Sequence, residues 1–171
     1  MVELKAYDEI AAQFSESRKQ PRLPLVSWDI FAFHLQQTNA TESDLHQLKS
    51  LADKNRWVFD FGELRDIEHD TTIVVTDPNV RIVFSTSNVV AMTGYEAKEL
   101  IGQSPKMLQG EGTSGNTKAT IREAVANLKP FEGIIVNYRK DGTPYDCKVR
   151  SFPIFNSKGV LSHFIAFENV A

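Results

Sequence analysis

Apolar positions follow a helical period in the first third of the chain and gather into β-branched runs after residue 70. Leu4, Tyr7, Ala11 and Phe14 fall at i, i+3, i+7 and i+10, the spacing of one helix face. Pro21 and Pro24 stop any helix there. Ser27 is a good N-cap for a second helix. Its Trp28, Ile30, Phe31, Phe33 and Leu35 are apolar nearly all round, so burial on several sides is expected. Thr41 caps a third helix, with Leu45, Leu48, Leu51 and Ala52 on one face. Residues 57–67 carry Phe61, Leu64 and Ile67 at helical spacing, and a fourth helical segment is expected there, starting at Trp57.

So few short helices make little core alone. They are expected to complete the core of the domain after residue 68. The sharper reading adds a dimer contact or a signal-transmitting coupler.

After residue 70 the pattern changes. Thr71-Thr72-Ile73-Val74-Val75-Thr76 predicts a strand, ended by the turn signal Asp77-Pro78-Asn79. Arg81-Ile82-Val83-Phe84-Ser85 predicts its hairpin partner. Short helices are expected over 88–93 and 96–101, stopped by Gly94 and Gly102. Asn116 is the candidate cap of the longest helix here, where Ile121, Ala124, Val125 and Leu128 form one face before Lys129-Pro130. Residues 131–140 and 143–155 read as strands joined by Asp141-Gly142, a strong hairpin signal. A second hairpin turns at 156–159 into a strand over 160–168. Two strands, several short helices and three strands predict an α+β domain: a five-stranded antiparallel sheet with helices on one face. A small ligand cavity is expected between helices and sheet. The chain thus divides into a helical extension, 1–68, and a domain, 69–171.

Composition narrows the function. A net charge of -3 argues against a nucleic-acid surface. No apolar run reaches the roughly 20 residues that span a bilayer, so no membrane partner is expected. The start, Met1-Val2-Glu3-Leu4-Lys5, lacks a secretory pattern, and one cysteine, Cys147, forms no internal disulfide. A cytoplasmic location is the expectation.

Little in the chain suggests catalysis or metal binding. His34, His46, His69 and His163 share no zinc-like spacing with a cysteine. Glu68-His69-Asp70 reads as a polar linker rather than a metal site. Gly110-Glu111-Gly112-Thr113 is too short for a phosphate loop. Cys147 reads as a buried pocket residue. No kinase, cyclase or phosphodiesterase segment follows before Ala171, so the expectation is a non-enzyme that signals through a partner.

Residues 71–168 resemble a PAS domain, and within that superfamily a light-oxygen-voltage (LOV) flavin domain. The resemblance is carried by Val75-Thr76-Asp77, Met92-Thr93-Gly94-Tyr95, the central Gly102-Gln103-Ser104-Pro105-Lys106-Met107-Leu108-Gln109-Gly110, Ile121-Arg122-Glu123-Ala124, Asn137-Tyr138-Arg139-Lys140-Asp141-Gly142 and Phe164-Ile165. Residues 1–68 are not covered. The LOV motif reads Gly-x-Asn-Cys-Arg-Phe-Leu-Gln, and its cysteine forms a thioether with the flavin under blue light. Here Pro105 holds that position, so the resemblance implies a domain without the adduct. Lys106 stands for the phosphate-binding arginine, Arg122 matches the second, and Gln109 is retained. Asn137 matches one flavin-ring asparagine, Cys147 replaces the other, and Glu168 replaces the signal-relaying glutamine.

The resemblance implies a ligand site of Thr76, Lys106, Gln109, Arg122, Asn137, Cys147 and Glu168. Lys106 lacks the guanidinium fork, and Cys147 is a poor partner for a ring edge. No cofactor is therefore expected, with FMN as the alternative. The expected function is a sensory or protein-interaction module in signal transduction. The rival is an FMN flavoprotein answering light or redox by electron transfer. If Asn137, Cys147 and Glu168 point inward, Ile134, Val136, Tyr138, Phe152, Ile154, Leu161, Ile165 and Phe167 point outward. Such an apolar face needs a cover, from Trp28, Phe31, Leu35 and Phe61 or from a second copy. A homodimer is expected, and loss of residues 1–56 should give an unstable or aggregating protein.

Overall fold

The computed structural model describes residues 40–59 and 68–171. The expected helices before Thr41, and the positions of Trp28, Phe31, Leu35, Phe61, Leu64 and Ile67, lie outside the described residues.

The first described element is α1, Glu42–Asn55. Thr41 caps it as expected. Its Oγ1 accepts from the Asp44 backbone N–H at 3.1 Å, and Asp44 Oδ2 accepts from the Thr41 N–H at 2.9 Å. The same carboxylate oxygen accepts from the Ser87 N–H and Oγ at 3.1 and 2.7 Å. One buried acid therefore both starts the helix and ties it to the domain.

Residues 57–58 depart from the helix expected over 57–67. Arg56 takes a left-handed conformation (φ 52°) and ends α1. Trp57–Val58 then forms strand β1, pairing with Phe155 and Asn156. The Trp57 indole Nε1 donates to His163 Nδ1 at 3.1 Å. That buried bond and the strand pairing outweigh the helical spacing, because a short apolar run satisfies either period.

The remaining strands are β2 (Thr72–Thr76), β3 (Ile82–Ser85), β4 (Phe131–Tyr138), β5 (Pro144–Asn156) and β6 (Leu161–Val170). All pair antiparallel, in the order β1-β5-β6-β2-β3. β4 shares one edge of the long β5 with β1, further along it. The five expected strands are present, and β1 adds a sixth. Asp141-Gly142 makes its hairpin, with Gly142 at φ 87°.

Between β3 and β4 run α2 (Val89–Thr93), α3 (Ala97–Leu100), a 3-10 helix (Pro105–Leu108) and α4 (Gly115–Ala126). Ser114, not Asn116, caps α4, because its hydroxyl accepts from the Thr117 N–H while Asn116 lies inside the first turn.

Strand parity sends alternate side chains to two cores. Ile73, Val75, Ile154, Ile165 and Phe167 meet Leu48, Ala52 and Trp57 on the outer face. Val74, Ile135, Tyr145 and Cys147 meet Val89, Met92 and Leu100 on the inner face. The outer face is thus covered over β2 and β6 by α1, through Leu45, Leu48, Leu51 and Ala52. Ile134, on the same face of β4, stays 57% exposed.

Candidate functional site

The central stretch 102–110 is laced to the sheet on both sides. The Ile82 N–H donates to Gln103 O at 2.8 Å, and the Gly102 N–H to Ile82 O at 2.7 Å. At the other end Gln109 bridges Asn137 of β4 in antiparallel fashion. Thr113 Oγ1 accepts from the Gly110 N–H and donates to Val136 O. Tyr138 Oη accepts from the Gly112 N–H at 2.7 Å.

Glycine at 110 is set by this close approach, since an added Cβ would run into the Tyr138 ring. Gly110→Ala is expected to destabilise the protein by about 2 kcal/mol, an overpacking cost. Chemical denaturation checks it, and an unchanged midpoint would show that the ring swings aside freely.

The 3-10 helix opens with Pro105, where a residue without an N–H costs nothing. Pro105 faces a chamber of about 130 Å³ between helices and sheet. Its walls are mostly apolar, with Ile121 and Val125 of α4 among them. No residue of α4 is buried. The helix roofs a hollow, and its partly buried Ile121 packs against the inner core.

Four of the expected site residues line this chamber: Thr76, Gln109, Asn137 and Glu168. Thr76 is 6% exposed, and its hydroxyl has no hydrogen-bond partner among the described residues. A buried hydroxyl left unpaired costs about 1–3 kcal/mol, and a ligand atom would relieve it. Lys106 and Arg122 do not reach the chamber. They line an outer mouth of about 560 Å³, which shares Val80, Pro105, Gln109, Ile121 and Val125 with it.

Cys147 is on the inner face as parity requires, but it does not line the chamber. It is fully buried, and its thiol lies 3.8 Å from Glu168 Oε2. Burial first, then the neighbouring Glu168, push the thiol up and keep it protonated. Glu168 pairs across β6 and β5 with Val149. Burial pushes its carboxyl up to about 7, against the small opposing effect of the Cys147 hydrogen bond.

Two further mouth residues, Arg81 and Lys118, escaped the sequence reading. Lys118 sits one helical turn before Arg122, so i, i+4 spacing was the available signal. Arg81 gave none, because only the folded loop 77–81 brings it to the mouth. Among the described residues, no group of three or more His, Cys, Asp or Glu is placed to hold a metal ion. No helix among them is long and apolar enough to cross a membrane.

Thr76, Gln109 and Asn137 face the chamber, and the cations stand outside it.

The chain is similar to known proteins. Phototropin-1A of Oryza sativa subsp. japonica is 38% identical over 100 residues, 57% of this chain and 11% of the phototropin. A blue-light-activated histidine kinase of Brucella ovis is 34% identical over 97 residues, 55% of this chain and 20% of the kinase. The LOV domain of a blue-light-activated histidine kinase from Erythrobacter litoralis has a TM-score of 0.55 at 22% identity, covering 58% of this chain and 94% of that one. That last likeness shows the shared fold. The chain therefore matches sensory LOV domains of signalling proteins and spans a fifth or less of the two curated relatives. Residues 70–169 match the PAS domain family. The match covers more than half of the chain, from the approach to β2 to the end of β6, and the chain belongs to the PAS domain family.

Proposed function

We propose that this chain is a LOV-like PAS sensory and interaction module that works without cysteinyl-flavin photochemistry. The carrying observation is Pro105 at the chamber wall together with Cys147 sealed beside Glu168, outside the chamber lining. A thioether needs a thiolate within reach of the ligand. Proline has no nucleophile, and the one thiol is protonated and buried. The module has no turnover of its own in this reading. Its output passes to a partner protein, or to a second copy of the chain, through the outer face and the helices that flank it.

A second reading is favoured by the mouth. Lys106 and Arg122 would hold the phosphate of FMN, and Gln109 and Asn137 would bond the ring edge. Bound flavin would supply blue-light absorption and one-electron redox chemistry.

Absorption spectroscopy of the purified protein, before and after blue light, tests both. The favoured reading expects no stoichiometric flavin, and no covalent adduct after reconstitution with FMN. Tightly bound FMN without an adduct would establish the second reading. A light-induced thioether would overturn the first altogether.

A further inference from the structure

One buried nitrogen on the outer face has two neighbours with opposite needs. His163 Nδ1 lies 3.1 Å from Trp57 Nε1 and 2.8 Å from Ser162 Oγ. An indole N–H only donates, so it needs the lone pair of an unprotonated Nδ1. A serine hydroxyl donates or accepts, so it serves either state of the ring. A proton on Nδ1 removes the lone pair and sets two N–H groups against each other. Of the two neighbours, only Ser162 Oγ can then accept. His163 and Trp57 are both over nine-tenths buried, with ring centroids 5.2 Å apart, so little water reaches the pair.

Trp57 matters because strand β1 is slight. It is two residues long and pairs with Phe155 and Asn156 at the edge of the sheet. Arg56, just before it, is held at φ 52°, left-handed backbone that a residue with a Cβ disfavours. The Arg56 carbonyl accepts from the Ser157 N–H at 2.9 Å, and Val58 is 60% exposed. α1 is also fastened elsewhere, by Leu48 and Ala52 in the core and by Asp44 on Ser87 at its far end. β1 can therefore leave β5 while α1 stays. Charge around the ring is sparse. Asp77, just after β2, pulls weakly toward the charged form, and its carboxylate already accepts from the Asn79 and Arg81 N–H groups at 2.9 Å each. β5 presents Ile154, the register partner, and β1 presents Trp57. α1 brings Leu48 and Ala52 to the same core, and none of these four titrates. Burial outweighs Asp77 and keeps the held ring neutral above its ordinary 6.5.

We propose that β1 is a proton-operated clip: a proton from solvent on His163 Nδ1 turns the ring to Ser162, frees Trp57 and releases β1 from β5. No covalent bond changes. The freed ring meets water and titrates at its ordinary value, so release takes up a proton that the held state refuses. Falling pH therefore favours release, by up to about tenfold per pH unit below 6.5. The clip sits on the outer face, across the sheet from the chamber, and gives the module an acid-sensitive step that needs no ligand. It goes beyond the sensory reading above and does not rest on it.

NMR of the full chain, from about pH 7.5 down to about pH 5, tests the clip across the histidine range. The Trp57 indole signal is assigned through Trp57→Phe. Protection of that indole N–H against solvent exchange, corrected for intrinsic rate, is expected to fall by up to about tenfold per pH unit below 6.5. The amides of 73–75, in the middle of β2, should not follow it. His163 should take up its proton, read from the ring-nitrogen shifts, with the same midpoint. Trp57→Phe should raise that midpoint, because it removes the donor that favours the neutral ring. His163→Asn puts a carbonyl oxygen that does not titrate near the Nδ1 position, and should leave Trp57 protected throughout. A single cooperative melt shows that this variant is folded, and if it is not, the shared midpoint in the wild type decides. Trp57 protection that stays level through the His163 titration would overturn the proposal. So would loss of protection at 73–75 in step with Trp57, or a pH response that survives His163→Asn.

Discussion

Glu168→Gln is expected to stabilise the protein by about 3 kcal/mol above roughly pH 7, a value set by about 1.4 kcal/mol per pKa unit. Burial raises the native carboxyl from 4.5 to about 7. The fold therefore holds Glu168 protonated where the unfolded chain ionises it. Below 4.5 both states are protonated and nothing is lost. As pH rises from 4.5 through 7, the unfolded state releases its proton first, and stability falls across that window. Glutamine has the same shape and still accepts from the Cys147 thiol, but it does not titrate. Urea denaturation across the window should show wild type weakening relative to the variant. Parallel stability curves would remove the buried-carboxyl account.

His163 acts in the opposite sense. Burial lowers its pKa below 6.5, against a weaker pull from Asp77. The unfolded histidine protonates first as pH falls below 6.5, so its stabilising contribution is complete above that value and lost below it. The neutral ring is also the one whose Nδ1 accepts from Trp57. Below pH 6.5 the two groups therefore act against each other, Glu168 favouring the fold and His163 opposing it as pH falls.

Leu48→Ala is expected to cost about 3 kcal/mol, the usual effect of emptying a fully enclosed leucine site. Leu48 is 0% exposed and shares a core with Ile73, Val75, Ile165 and Phe167. The loss should appear as one cooperative transition moved to lower denaturant. A helix that merely preceded the domain would lose well under 1 kcal/mol, the ordinary effect of a surface change. That small loss would separate α1 from the fold. The expected instability of a chain lacking residues 1–56 has the same physical cause, because the deletion uncovers Ile154, Ile165 and Phe167.

The sheet and its connections were legible in the sequence because their causes are local. β-branched residues at 72–76 favour extended backbone, Asp141-Gly142 admits the positive φ a tight hairpin needs, and Thr41 with Asp44 closes a capping box by itself. The PAS resemblance likewise lay in residues close together along the chain, and it placed Thr76, Gln109, Asn137 and Glu168 at one cavity.

What the sequence left open depends on groups distant along the chain. Trp57 joins a strand because His163, 106 residues away, accepts its indole hydrogen. Parity places Cys147 on the inner face, but how far along that face the cavity reaches is decided by where α4 lies. The chamber therefore ends at Glu168, and the thiol stays behind it. Arg81 and Lys118 meet Lys106 and Arg122 only once the Asp77-clamped loop, the 3-10 helix and α4 are brought together. Local propensity sets the elements, whereas a charge-lined mouth exists only where three of them converge.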